Sequence, residues 1–351
     1  MLKFVRSLLS PSDHSQEQEL VLRNAPIPPI MLEIDGAVRF PLADNLNVEH
    51  GLPVPDWEAV STWIEGIDNS STQATAWAKA ELGWLAHLRA ALGPQYHLAQ
   101  SGDAVLLCSL EPSLAQVTLE FMTKTVTRIG KVLEGLVQTP EWGHDILIVF
   151  DDDDTYYRYV SRFYPEPGEF AGSSGMHIGF GCSHFVTMKS DLRAVEPIIV
   201  HEMTHGCLNH LPLPAWLNEG LAVNTELRLC PAPSSLFTPQ EMHSKHVCFW
   251  GASEIQEFWS GKSFLRPDDG SMLAYDLARI LVSQFASDWE RFKKFAREAR
   301  AEDAGKSSAL ENLHINLGAA VCAILEQPSC TDWEPRPDVW REPPERGAFR
   351  R

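Results

Sequence analysis

The chain has 351 residues, 44% of them hydrophobic, and a formal charge of −18 at pH 7. That length allows one large or two ordinary domains, and the hydrophobic share supports a full core. The strong negative balance argues against a general affinity for nucleic acid or for anionic membrane surfaces.

In chain order, residues 1–9 carry Lys3 and Arg6 but no apolar run of signal-peptide length. No later segment approaches a membrane span. The expectation is a cytoplasmic protein with no nucleic-acid or membrane partner, and nothing in the sequence bears on oligomeric state. Residues 1–95 are punctuated by Pro26, Pro28, Pro29, Pro41, Pro53 and Pro55. They then read as a strong helix over 72–92, anchored by Trp77, Leu82, Leu85 and Leu88. This N-terminal region is expected to be mostly helical and shows no chemistry.

From residue 96 the pattern changes. Strands over 96–99 and 104–110 flank a Ser101-Gly102-Asp103 turn, a long helix covers 114–136, and an apolar strand covers 145–150. Asp151 to Asp154 group four carboxylates. A calcium loop is one reading. The loop and N-terminus of a helix carrying Tyr156, Tyr157 and Val160 is the better one, since carboxylates suit that end of the dipole. The stretch 172–188 is rich in Gly and small residues. Alternation through 176–180 reads as a strand, and Gly175, Gly179 and Gly181 leave its backbone open to another chain. A Gly-rich hairpin without a ligand fits the same residues. Cys182 and His184 stand two apart and would share a face only on a regular strand.

The most informative stretch is His201-Glu202-Met203-Thr204-His205, followed by Asn218-Glu219. Residues four apart on a helix lie one above the other, so His201 and His205 can present two imidazoles to one metal ion. Glu202, next to the first of them, can reach a metal-bound water without being a ligand. A helix-borne HExxH pattern points to a zinc hydrolase with the Glu as general base. The surroundings fit a helix: Pro197 suits a first helical position, and Ile198, Ile199, Val200, Met203 and Leu208 supply a buried side. Pro212 and Pro214 end it. A second helix is expected over 215–229, with Trp216, Leu217, Leu221, Val223 and Leu227 among its apolar positions. Glu219 sits fourteen positions after His205, in the first two turns of that helix. A carboxylate there is costly to bury unpaired, and metal ligation removes that cost.

The HExxH segment and Trp216-Leu217-Asn218-Glu219-Gly220-Leu221-Ala222 resemble the gluzincin clan, the thermolysin-like metallopeptidases, particularly its peptidase-MA-like branch. The resemblance implies an α+β fold with a mixed sheet and active-site helices, a thermolysin-like zincin domain placed over 96–327. It implies one zinc ion (Zn2+) held by His201, His205 and Glu219, with Glu202 as general base. It also implies a tyrosine on a later helix that steadies the oxyanion, and Tyr275 is the candidate for that role. An edge strand upstream of the zinc helix, here 175–181, would pair with a peptide or protein substrate in extended conformation. The expected function is zinc-dependent peptide-bond hydrolysis. The rival reading is a catalytically inactive zinc-binding interaction module of the same fold. A structural zinc is normally closed by four protein ligands, and the three evident here favour the enzyme. No acidic amine-binding motif of the aminopeptidase kind stands upstream.

Later features carry less. Thr238-Pro239-Gln240-Glu241 is a good capping-box start. His243 and His246 after it are three apart with no evident partner, so surface or pocket positions suit them better than a second metal. The seven cysteines show no CxxC spacing and read as reduced packing residues. The tail, 328–351, is rich in Pro and Arg and expected to be poorly ordered at its end.

Overall fold

A computed structural model describes residues 20–36, 38–138, 142–163, 175–230, 237–328 and 331–340. The first third holds β1 (Val21–Arg23), β2 (Leu32–Ile34), β3 (Val38–Phe40), β4 (Leu46–Glu49), β5 (Leu52–Pro55), α1 (Trp57–Glu65) and α2 (Ser70–Leu92). The middle holds β6 (His97–Ser101), β7 (Ala104–Cys108), α3 (Pro112–Val132), β8 (Asp145–Phe150), α4 (Asp153–Val160), β9 (Gly175–Ile178) and β10 (His184–Met188). Then follow α5 (Leu192–Leu208), α6 (Ala215–Leu229), α7 (Pro239–Phe249), α8 (Ala252–Ser260), α9 (Asp269–Phe285), α10 (Trp289–Glu298), α11 (Lys306–Ser308) and α12 (Leu317–Ile324).

The fold is mixed α and β. Its central sheet runs β1-β6-β7-β8-β10-β9, parallel at β7/β8 and β8/β10 and antiparallel elsewhere. Alternation sorts the strand residues to two faces. Leu106, Cys108, Leu147, Val149 and Phe185 join a core with α3, α5, α6 and α9. Val105, Leu107, Ile146, Ile148 and Val186 join a second core with Trp57, Val60, Leu85 and Leu88 of α1 and α2. Nearly every residue of β7 and β8 is buried, because both faces of these central strands are covered.

The N-terminal region therefore supplies one edge strand, β1, and the layer over one face of the sheet. Its five strands of three or four residues were not anticipated. Strands that short give no legible alternation.

Two sequence expectations match the observed bounds, the strand Asp145–Phe150 and the helix Ala215–Leu229. Pro197 does not. It is the sixth residue of α5, which starts at Leu192. Lacking an N–H, it cannot close the ladder bond to the Arg193 carbonyl. Burial of Val195, Ile199 and Val200 holds the helix through this gap. Asp152 caps α4 by accepting from the Thr155 N–H, as a helix start requires. Asp151 faces Lys189 at 3.4 Å. Among the described residues no helix is long and apolar enough to cross a membrane. Cys108, Cys182, Cys207, Cys230 and Cys322 are free and buried, and Cys248 is free and exposed. Trp333 and Trp340 pack back on the C-terminal helices, and tail residues 329–330 and 341–351 lie outside the described ones.

Candidate metal centre

The site is built on two helices folded against each other. α5 stops at Leu208, and α6 starts at Ala215 after Pro214. The return places Glu219 opposite the two histidines. Glu219 Oε2 lies 3.2 Å from His201 Nε2 and 3.4 Å from His205 Nε2. The three ligand atoms all fall within 4.8 Å of one another. Donors bonded at about 2.0–2.2 Å to one tetrahedral ion stand roughly 3.3–3.6 Å apart; the two Glu219–histidine distances fall close to this, so the group could hold a metal ion.

Proton placement makes the same point. His201 Nδ1 lies 3.2 Å from Glu226 Oε2, and His205 Nδ1 lies 3.2 Å from Asn218 Oδ1. Both partners are acceptors, so each Nδ1 carries a proton and donates it. With both rings neutral, two Nε2 lone pairs face the Glu219 carboxylate. Three acceptors converging in a buried space are repulsive unless a cation joins them. Protonation is one remedy. Burial disfavours charge on His201, but hydrogen bonds to Glu219 and Glu226 outweigh it and raise its pKa well above the ordinary value. Burial works against ionised Glu219 too, yet His205 and His201 hold it well below the usual carboxylate range. A divalent cation satisfies the same donor set.

Glu202 is buried, and burial raises its pKa against the lowering pull of His201 and His205. Its carboxylate accepts the His177 backbone N–H from β9. Gly175 lets that strand sit close: a Cβ there would stand 2.4 Å from Ile198 Cγ2 and 3.4 Å from Glu202 Oε1. The edge strand is thus drawn onto α5 by a missing side chain. It is shorter than expected, Gly175–Ile178, and Phe180 lies beyond it, 52% exposed.

Tyr275 reaches the site through another glycine. A Cβ on Gly220 would stand 2.6 Å from the Ala278 carbonyl oxygen, so only glycine lets α6 and α9 approach this closely. The Tyr275 ring then lies 6.2 Å from that of His201, with Phe264 edge-on at 5.1 Å.

The other candidates separate from the site. His246 Nε2 meets Asp276 at 2.9 Å, and its Nδ1 accepts from Trp250 Nε1 at 2.8 Å. His243 faces Glu326 at 3.5 Å, so the two histidines share no ligand point. Thr238 and Glu241 form the expected capping box. His184 Nδ1 donates to the Cys182 carbonyl and its Nε2 accepts from Tyr159, while the Cys182 thiol faces Glu81. These contacts leave no Cys–His pair. The sequence reading missed Glu226, although it stands seven residues after Glu219, two turns along the same helix face.

Comparison of this chain with protein-family models and with curated proteins finds no match.

Proposed function

We propose that the protein is a zinc-dependent metallopeptidase with a thermolysin-like domain over about residues 96–327, the span of the motif-bearing α+β segment. One observation carries this reading. Three donors of the right type converge at ligand spacing, beside a buried carboxylate, Glu202, that is not one of them. His201, His205 and Glu219 would hold the ion. When bound, zinc supplies Lewis acidity, polarising a carbonyl and bringing the pKa of a water to about 7. Glu226 and Asn218 orient the two imidazoles from behind. Glu202 takes a proton from the attacking water and returns it to the leaving amine. A positioned acid/base of this kind contributes about 10²- to 10⁴-fold. Tyr275 donates its hydroxyl to the developing oxyanion. The outer edge of β9 takes an extended peptide or protein substrate as an added strand.

The test is elemental analysis and peptide-library profiling of the purified protein beside Glu202→Gln. One zinc per chain is expected in both proteins, with cleavage lost from the variant. Zinc without turnover by the wild type, or equal turnover by both, would make the protein a non-catalytic zinc-binding module instead.

A further inference from the structure

The layer formed by α1 and α2 contributes no group to the proposed reaction, yet it grips the strand beside the site. Trp57 lies over Gly181, in the turn between β9 and β10. A Cβ on Gly181 would stand 2.1 Å from Trp57 Cγ and Cδ1, and the glycine has a φ of +68°. Space and backbone both require glycine there. Trp57 is backed by Trp77 and Trp84, with ring centroids 5.8 and 5.6 Å away. Trp84 meets the ring of His184, the first residue of β10, at 5.0 Å. Next to Gly181, the Cys182 thiol donates to Glu81 Oε1 of α2 at 3.6 Å. At the other end of the turn, His177 gives its backbone N–H to Glu202, and its imidazole bonds Ser183 Oγ at 2.9 Å.

Among the described residues the four-residue β9 has one paired neighbour, so its own ladder holds it weakly. We infer that α1 and α2 form a clamp that sets the position of β9, with Trp57 and Glu81 as positioning residues for the peptide-binding edge. The clamp rests on packing alone; its effect on substrate rests on the peptidase reading. The peptide meets the outer edge of β9, and the clamp holds the turn that follows it. Loosening the turn therefore weakens peptide binding while leaving the metal ligands in place.

The experiment uses the full-length, zinc-loaded chain. Hydrogen exchange and peptide kinetics are read for Trp57→Ala, Trp57→Phe and Glu81→Gln. In Trp57→Ala, exchange across 175–178 should rise about 10-fold or more, while β7, β8, α5 and α6 stay protected and zinc content is unchanged. KM for extended peptides should rise by a similar factor, with the smaller loss in kcat coming through the His177 N–H that bonds Glu202. Trp57→Phe should restore most of both. Should Trp57→Ala fail to fold, Glu81→Gln carries the same comparison. Unchanged β9 exchange, or an equal rise across all strands, overturns the clamp. Local loosening of β9 with KM unmoved overturns its role in binding. Local loosening in a protein that cleaves no peptide upholds the clamp and removes the peptidase reading.

Discussion

Two buried histidine–carboxylate groups sit on opposite sides of the central sheet. On the N-terminal side, Glu81 Oε2 accepts from the His144 backbone N–H at 3.0 Å and from His144 Nδ1 at 2.6 Å, and Oε1 takes the Cys182 thiol. Each oxygen has its own donor. On the other side, Glu219 faces two ring nitrogens, and the second nitrogen of each ring already meets an acceptor, Glu226 or Asn218. The residue types are the same. The partner behind each imidazole decides whether the group closes on itself or awaits a cation. A buried carboxylate supplied with donors is a structural tie. One faced by two imidazole nitrogens forms a group that could hold a cation.

The largest effect expected from this contrast is on metal. Glu219→Ala should abolish stoichiometric zinc, while Glu226→Gln should keep it with affinity lowered about 10- to 100-fold, the usual consequence of losing an orienting partner. Competition with a chromophoric chelator measures both, and equal affinities for wild type and Glu219→Ala would remove the ligand assignment. Next comes Tyr275→Phe, which should lower kcat and kcat/KM together by roughly 10- to 1000-fold, with KM and zinc content unchanged. A variant that loses melting temperature but no rate makes Tyr275 a packing residue.

The closed group should respond in stability instead. His144→Ala removes one of three donors from a buried carboxylate, so about 1–3 kcal/mol of unfolding free energy should be lost with zinc stoichiometry intact. Denaturant unfolding reads the first and elemental analysis the second. Loss of zinc there would erase the distinction between the two groups.

The smallest effect is a pH dependence on the closed side. Burial lowers the pKa of His184 from 6.5 to about 4. The folded form stays neutral where the unfolded chain takes up a proton, so stability is full above about 6.5 and falls as pH drops toward 4. The loss amounts to about 3 kcal/mol at most. Melting curves of wild type and His184→Gln should converge as pH falls through this window. Parallel curves would show that His184 does not titrate on unfolding.

The helix–break–helix around the motif was legible in the residues because its causes are local. Spacing by four puts His201 and His205 on one face, two prolines end α5, and apolar periodicity carries α6 to Leu229. The strand Asp145–Phe150 was legible for the same reason, as an unbroken apolar run between turn residues. The start of α5 was not. Pro197 marks a helix start when only its neighbours are weighed, but burial of Val195 and Ile199 pays for the missing bond five residues into the helix. The two-layer cover of the sheet and the short strands before α1 were hidden as well, since strands of three or four residues leave no period to read. Above all, only tertiary packing could set Tyr275 beside His201 and β9 beside Glu202. Those approaches depend on Gly220 fitting under Ala278 and Gly175 fitting against Ile198. A glycine announces freedom in the chain but not the surface it will meet. That surface is chosen by burial summed over elements far apart in sequence, which local spacing does not encode.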